Sequence, residues 1–372
     1  MPSTLKQVPG AKPLRYFIGL GGVPWRMPIE GDEPFLRPEV GFTPAWFRKY
    51  CDIDFSSRWH HDPDYRLEAY EKMRAEVRRR FPGRDIGCVM RDQPPDLLSG
   101  LLGTCWMPHL FGQELQYFSD NWPAGKGDPY ADNAKVDAVE PLELDNNPVF
   151  QNLLRQCDRI ETLTGSLGGQ LNWQGVLNTA FRLRGQQIFL DLIDSPQRAH
   201  RLFECITTTM VDGMKKLYER QRRAGVDCQF GSTANCVVNM LSPELYVEHL
   251  LPFDLRLRSA FESFGLHNCA WVVDPYLDAY ANIPALGYID MGVTSDLVKA
   301  KRLFPDARRT VLYTAMELGG KSEREIREDF VRIAREYAPC DVGLPNIDVH
   351  IPDERVEFVL DLCDKFSREH GL

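Results

Sequence analysis

The sequence lacks any apolar stretch long enough to cross a membrane. A membrane-spanning helix needs about 18 or more apolar residues in a row, and no segment of the 372-residue chain reaches that length. The N-terminal stretch MPSTLKQVPGAKPLRYF also has no apolar core of the kind found in signal peptides. We therefore expect a cytoplasmic protein without a membrane partner.

The chain also lacks an excess of basic residues. Its 53 acidic side chains outnumber its 44 lysines and arginines, which gives a formal net charge of −9 at pH 7. Binding to nucleic acid depends on a basic face that neutralises phosphates. The charge balance therefore argues against nucleic acid as the main partner.

Paired cysteine motifs are missing, although cysteine itself is not. None of the ten cysteines forms a C-x-x-C pair. In a cytoplasmic chain of this length we expect free thiols rather than a disulfide framework. Most of them should be buried as small apolar residues, so a cysteine proposed as a ligand needs further support.

The glycine-rich fingerprint G-x-G-x-x-G follows none of the apolar runs. An open dinucleotide-binding sheet is therefore the weaker alternative for the fold.

The chain does contain an alternation of apolar runs with capped helix patterns, which is clearest after residue 150. Eight runs are predicted strands, namely 15–20, 85–90, 160–166, 227–233, 265–271, 286–292, 309–316 and 341–347. Such alternation favours parallel pairing, and eight strands predict an α/β fold of the (β/α)8 TIM barrel type.

Proline, tryptophan and turn signals crowd the first 150 residues, where only DPDYRLEAYEKMRAEVRRRF is a clear helix. We therefore expect one barrel domain over residues 1–372, in which residues 1–150 form an irregular N-terminal extension with lid-like segments.

Polar residues at the predicted strand ends indicate where a site would lie, because barrel enzymes place their chemistry at the carboxyl ends of the strands. These residues are Ser166, Thr233, Asn235, His267, Cys269, Asp290, Glu317, Asp348 and His350. Among them, Asp290 and Glu317 are the candidate catalytic carboxylates. Asn235 is a candidate substrate contact, although it and the adjacent Cys236 could equally cap the next helix.

The stretch RWHHDPDY concentrates Trp59, His60 and His61 just before a helix. These three side chains are candidates for a substrate pocket that holds an aromatic or acidic ligand. The alternative is a turn at a helix start with solvated histidines.

His267 and Cys269, in GLHNCAW, stand two residues apart and so share one face of a strand end. Cysteine and histidine are the ligands that zinc prefers. The pair is therefore either part of a metal site or two core side chains that happen to be neighbours.

Over residues 150–365 the chain resembles the uroporphyrinogen decarboxylase superfamily, which includes cobalamin-dependent methyltransferases. The resemblance rests on FRLRGQQIFLDLIDSPQRAHRLFECIT, MLSPELYVEHLLPFDLRLRSAF and LHNC, in that order. LHNC falls where the methyltransferase branch carries a His-x-Cys zinc motif.

The decarboxylase branch is a poorer match, because its arginine-rich substrate loop corresponds here to GVPWRMPIEGD, with Arg26 alone. Several cations are needed to hold a tetrapyrrole with many carboxylates.

The resemblance implies zinc held by His267, Cys269 and a third ligand near the last strand. The family places a cysteine there, whereas this chain reads PNIDVHIPDERV. Asp348 is the preferred substitute, followed by His350 and then Cys340. Loss of the metal is the other possibility.

The implied activity is a zinc-dependent methyltransferase that moves a methyl group between a small methylated substrate or thiol and a corrinoid. The cobalamin-holding signature D-x-H-x-x-G is absent, so a separate corrinoid protein is the expected partner. The alternatives are a metal-free decarboxylase or lyase acting on a carboxylated ligand, with Asp290 or Glu317 as acid or base, and a binding subunit without chemistry.

Overall fold

The computed structural model describes residues 34–84, 86 and 95–370, and the statements below concern these residues. The strands are β1 (Leu36–Phe42), β2 (Glu114–Gln116), β3 (Ala124–Lys126), β4 (Phe230–Ala234), β5 (Ser263–His267), β6 (Leu286–Gly292), β7 (Arg308–Leu312) and β8 (Cys340–Ile347). The helices are α1 (Pro44–Cys51), α2 (Ser57–His61), α3 (Pro63–Arg80), α4 (Trp106–Leu110), α5 (Asn133–Asp137), α6 (Pro148–Thr164), α7 (Val176–Arg184), α8 (Gln187–Asp194), α9 (Pro196–Arg223), α10 (Pro243–His249), α11 (Leu251–Ser259), α12 (Leu277–Tyr280), α13 (Leu297–Leu303), α14 (Ala315–Gly320), α15 (Glu323–Glu336) and α16 (Asp353–Glu369).

Six of the strands form one parallel sheet in the order β1-β8-β7-β6-β5-β4, and β2 pairs with β3 in a separate antiparallel hairpin. Helices join successive strands of the large sheet, as parallel pairing requires. The α/β class with a parallel sheet is therefore confirmed. The complete eight-stranded barrel is not established by the six strands observed.

Two of the eight predicted strands, 15–20 and 85–90, fall wholly or mostly outside the described residues. A third, 160–166, is wrong, because residues up to Thr164 belong to α6. The side chain of Asn147 caps this helix, and Gly165, with a φ of 70°, ends it. The buried side chains of α6 recur at helical spacing, and they are Phe150, Leu153, Gln156, Cys157 and Ile160.

The N-terminal part is more regular than the sequence predicted. The described residues from 34 to 147 contain β1, the hairpin and the five helices α1–α5. β1 is buried along its whole length and pairs with β8, so this part supplies a strand of the main sheet as well as a covering for it. The predicted single domain with its boundary near residue 150 stays a prediction.

Charged side chains fill part of the interior beside β1, β7 and β8. Arg308 donates to Glu39 at 2.8 Å and to Asp341, which also pairs with Arg37. All four side chains are at most 4% exposed. These ion pairs link three neighbouring strands across the interior rather than at the surface.

Among the described helices, none combines the length and the apolar character that crossing a bilayer requires.

Candidate metal centre

Three potential metal ligands converge where β4 and β5 end. They are Cys236, two residues after β4, His267, the last residue of β5, and Cys269, two residues further on. Their ligand atoms all lie within 4.8 Å of one another. β4 and β5 are adjacent parallel strands with Ala234 opposite His267, so the register of the sheet brings the three side chains together.

Asp290 orients the imidazole of His267. Asp290, on the neighbouring strand β6, is fully buried, and its Oδ2 lies 2.5 Å from Nδ1 of His267. The same carboxylate accepts from the backbone N–H of Asn268 at 2.7 Å and from the hydroxyl of Tyr288 at 3.0 Å. A carboxylate that accepts from these groups places the imidazole proton on Nδ1, which leaves Nε2 as the ligand atom.

The backbone at Cys269 turns its thiol back towards that nitrogen. Cys269 adopts a φ of 60°, a left-handed conformation that costs a non-glycine residue of order 1–3 kcal/mol and that clusters at functional sites. Its Sγ lies 3.3 Å from Nε2 of His267. Gly292 permits this loop, because a Cβ there would lie 2.1 Å from the carbonyl oxygen of Ala270.

Cys236 is held in an environment that favours its thiolate. A hydrogen bond from Cys269 holds the pKa of Cys236 well below its usual value, burial opposes the shift, and His267 and a hydrogen bond from Asn178 lower the pKa further. Asn178 lies on α7 and also accepts from the backbone N–H of Val237 through its Oδ1. Because a metal binds the thiolate rather than the thiol, this environment suits a ligand.

The donor set of two cysteines and one histidine fits zinc. Catalytic zinc sites use three protein ligands and keep a fourth position for water or substrate. Two ligands on one tetrahedral zinc lie roughly 3.5–3.8 Å apart, given metal–ligand distances of about 2.0–2.3 Å. Nε2 of His267 and Sγ of Cys269 are 3.3 Å apart, and all three ligand atoms lie within 4.8 Å of one another. These separations are close to those between two ligands on one zinc. The Cys-His-Cys group could therefore bind a metal ion, and zinc matches its chemistry.

Asp348, the predicted third ligand, is not a member of this group. Its carboxylate accepts from the hydroxyl of Thr43 at 3.3 Å and from the backbone N–H of Val349 at 2.6 Å, and it lies 3.5 Å from His350. Cys340 begins β8 and is buried at the opposite end of the strand from Asp348.

Sequence reasoning missed Cys236 as a ligand because the resemblance pointed to the last strand. The sequence feature that could have identified it is its position two residues beyond β4, the strand that pairs with the strand carrying His267.

Glu317 and Asn235, two further predicted site residues, both make hydrogen bonds to other residues of the chain. Glu317 lies in the first turn of α14, where its carboxylate accepts from the backbone N–H of Thr314 at 2.8 Å and from its hydroxyl, and so completes a capping box. Asn235 is 3% exposed and donates to Asp254 at 3.0 Å. The predicted strand 309–316 ends at Leu312, so Glu317 is not at a strand end.

Trp59, His60 and His61 lie on α2, in a different part of the fold from the Cys-His-Cys group. Trp59 is 1% exposed and packs against Phe55 with ring centroids 4.6 Å apart. His60 and His61 line a pocket between α2, α4 and α6, and Nε2 of His61 is 3.0 Å from the hydroxyl of Tyr117. The structure thus places two of the three predicted pocket residues at a pocket and the third in the core.

No family model matches the chain, and no curated protein matches it either. Among solved structures, the chain is similar to a methyltransferase from Methanosarcina mazei, with a TM-score of 0.60 and 15% sequence identity. The match covers 87% of this chain and 90% of that one. At this identity the similarity shows a shared fold.

Proposed function

We propose that the protein is a zinc-dependent methyltransferase that moves a methyl group between a small methylated substrate or thiol and a corrinoid. The observation that carries the proposal is the convergence of Cys236, His267 and Cys269 at the carboxyl ends of two adjacent strands. The shared fold with a methyltransferase supports it, as does the resemblance of LHNC to a zinc motif of the uroporphyrinogen decarboxylase superfamily.

Some residues of the chain would bind the metal, and others would orient the metal ligands. Cys236 and Cys269 would supply thiolates, and His267 would supply Nε2. Asp290 keeps the proton of His267 on Nδ1, which raises the basicity of the ligand nitrogen. When bound, zinc would lower the pKa of a substrate thiol and so supply a thiolate nucleophile at neutral pH. Both cysteines are partly exposed, which allows a small substrate to reach them.

A separate corrinoid protein is the proposed partner. Three exposed apolar side chains follow strands of the sheet at the end where the Cys-His-Cys group lies. They are Met240 after β4, Val272 after β5 and Met316 after β7, with exposed fractions of 56%, 44% and 83%. Contiguous exposed apolar patches mark protein interfaces, and the position of these three side chains after strands on the ligand-bearing side of the sheet is the support for docking there.

The metal-free decarboxylase or lyase receives less support from the same geometry. The carboxylate of Glu317 is engaged in the capping box of α14. Asp290 is fully buried and accepts hydrogen bonds from three neighbours. An acid or base must reach its substrate, and these two carboxylates are committed elsewhere.

The first experiment is metal analysis of the purified chain and of cysteine variants. We expect about one zinc per chain in the wild type, since the described residues contain one group of three potential ligands. Cys236→Ser and Cys269→Ser should lose the metal. Cys228→Ser is the matched control, because Cys228 is also half-buried but precedes β4 at the other end of the strand. Retention of zinc in Cys236→Ser together with its loss in Asp348→Ala would overturn the ligand set.

The second experiment tests the transfer itself. The zinc-loaded protein is incubated with methylcobalamin and a small thiol, and removal of the methyl group is followed by the change in cobalt absorbance. We expect turnover in the wild type and in Cys228→Ser and none in Cys269→Ser. Methyl transfer between small molecules without any corrinoid would contradict the proposed partner.

A further inference from the structure

The sulfur atoms of Cys236 and Cys269 lie close enough to react with each other. Both cysteines are free and partly exposed, and their Sγ atoms lie within 4.8 Å of each other. A hydrogen bond runs from the thiol of Cys269 to the sulfur of Cys236. In a disulfide the two sulfurs are about 2.0 Å apart, so they need to approach by no more than roughly 3 Å, a movement that a change of side-chain rotamer supplies.

The register of the sheet places the backbones of the two cysteines near the spacing that a disulfide requires. Ala234 pairs with His267 across β4 and β5. One residue beyond β4, the N–H of Asn235 still donates to the carbonyl of His267, at 2.6 Å. Cys236 and Cys269 each stand two residues beyond the pair of Ala234 and His267. Neighbouring strands are about 4.8 Å apart, and disulfides join Cα atoms about 4.4–6.8 Å apart.

Close packing holds both of the segments that carry the cysteines. A Cβ on Gly175 would lie 2.0 Å from the carbonyl oxygen of Ala234, and one on Gly292 would lie 2.1 Å from that of Ala270. Glycine allows the neighbouring backbone to approach both segments this closely. The two sulfurs are therefore brought together by packed backbone.

Three other thiols of the chain are poorer targets for oxidation. Burial raises the pKa of the thiols of Cys51, Cys157 and Cys228, and a protonated thiol is a weak nucleophile. The sulfur of Cys236 instead accepts the hydrogen bond from Cys269, which favours the reactive thiolate form. Oxidation should therefore begin at Cys236, with Cys269 as the resolving cysteine beside it.

We propose that Cys236 and Cys269 form a redox switch, in which hydrogen peroxide converts the pair to a disulfide, the metal is released and the transfer stops. Release follows because a disulfide offers no thiolate, which leaves His267 as the one remaining ligand of the group. The release of metal rests on the zinc site proposed above, whereas formation of the disulfide does not. A dithiol would reverse the oxidation, since exposed disulfides are readily reduced.

The oxidation takes two steps. In the first, the thiolate of Cys236 attacks one oxygen of the peroxide, the O–O bond breaks, and a sulfenic acid forms while the departing hydroxide takes a proton from solvent. In the second, the sulfur of Cys269 attacks that of Cys236, the S–O bond breaks, and the hydroxide leaves as water with the proton of the attacking thiol. Nε2 of His267, 3.3 Å from Sγ of Cys269, can relay this proton. The two sulfurs lose two electrons, and the peroxide gains them and becomes two molecules of water.

Peptide mapping of the metal-free chain after treatment with a small excess of hydrogen peroxide tests the disulfide. The experiment uses Cys228→Ser, because Cys236 is then the single cysteine between Arg223 and Arg256, where trypsin cleaves. We expect the tryptic peptides that contain Cys236 and Cys269 to appear joined, lighter by two hydrogen atoms than their sum, and to separate with dithiothreitol. If peroxide leaves both thiols free, or yields only sulfinic or sulfonic acids, the proposal is overturned.

Serine variants of the pair test the order of attack. Cys269→Ser keeps a hydrogen-bond donor beside Cys236 but cannot form the disulfide, so the sulfenic acid of Cys236 should accumulate and react with dimedone. In Cys236→Ser, dimedone should label Cys269 several-fold more slowly. Equal labelling of the remaining cysteine in the two variants would contradict the assigned roles.

Zinc release during the same oxidation tests the link to the metal. In the zinc-loaded chain a chromophoric chelator should record about one zinc released for each disulfide formed, and dithiothreitol should restore zinc binding. Zinc that stays bound after the disulfide has formed would overturn the switch. A chain that binds zinc but forms no disulfide would refute the switch alone, whereas a disulfide in a chain that never binds zinc would refute the proposed metal site and leave the redox pair standing.

Discussion

The hydrogen bond between His267 and Asp290 decides which imidazole nitrogen could face a metal. Both side chains are buried, and the carboxylate also accepts from Asn268 and Tyr288. A histidine ligand held in this way is more basic and loses less rotational freedom when it binds. In the proposed metal site, Asp290 would therefore act as a positioning residue for His267.

Asp290→Asn should weaken zinc binding about 10–100-fold, because outer carboxylates that orient histidine ligands typically contribute that much. Competition with a chromophoric zinc chelator measures the change. Tyr288→Phe, which removes one donor to the same carboxylate, is the matched control and should have a smaller effect. Unchanged zinc affinity in Asp290→Asn would contradict the orienting role.

A second buried carboxylate, that of Asp254, makes the free energy of unfolding depend on pH. Burial raises the pKa of Asp254 from 3.8 to about 6, although Asn235 and Tyr246 donate to it. Because the folded-state pKa is raised, this contribution to stability is fully present below about pH 4 and is lost as pH rises through 6. The shift corresponds to about 3 kcal/mol.

Urea denaturation of wild type and Asp254→Asn between pH 4 and 7 tests this sign. As pH rises, the unfolding free energy of the wild type should fall relative to that of Asp254→Asn. Asp278→Asn, at a highly exposed site, is the control and should show no such trend. A difference that is constant with pH would be contrary to expectation.

At the scale of elements, the close approach of the loops after β5 and β6 shapes the metal group. Gly292→Ala would bring a Cβ to 2.1 Å from the carbonyl oxygen of Ala270, so the loop that carries Cys269 must shift. Overpacking of this kind costs about 1–3 kcal/mol, and zinc affinity should fall as well. Gly320→Ala is the control, because nothing lies within 4 Å of the added Cβ. Thermal denaturation and zinc titration of both variants provide the measurement.

The sequence predicted five strands of the main sheet and the position of His267 because apolar runs between capped helices are a local signal. It did not predict β1, since LRPEVGF contains a proline and two charges and is buried through partners far away in the chain. The strand predicted over residues 160–166 is wrong, because the spacing of buried residues in α6 is helical.

The pairing of Cys236 with His267 depends on strand register, which is a tertiary property that spacing along the chain does not encode. Asp348, the substitute ligand that the family resemblance suggests near the last strand, lies outside the group. The prediction for Glu317 depended on where β7 ends. The strand ends earlier than the predicted residue 316, so Glu317 lies in a capping box instead of at a strand end.

At the scale of the whole molecule, the ion pairs among Arg37, Glu39, Arg308 and Asp341 connect β1 with β7 and β8. Arg308→Met would remove one cation from Glu39 and one from Asp341. Removing one partner of a buried pair typically costs about 3–5 kcal/mol. Urea denaturation should show a loss of this size, whereas Arg324→Met, at an 81% exposed side chain, should change stability by less than about 0.5 kcal/mol. A loss below about 1 kcal/mol in Arg308→Met would indicate that the buried charges are not coupled.

The potential ligands lie close together along the chain, within residues 236–269, and they join neighbouring strands. A set that drew on Asp348 would have to close a loop more than three times as long, at a higher cost in chain entropy. Contacts between near neighbours in sequence form early in folding. A nascent chain therefore gains its whole set of potential ligands once β4, β5 and their following loops have been synthesised, before the last three strands exist, and metal capture at that stage would nucleate the sheet from its β4 edge.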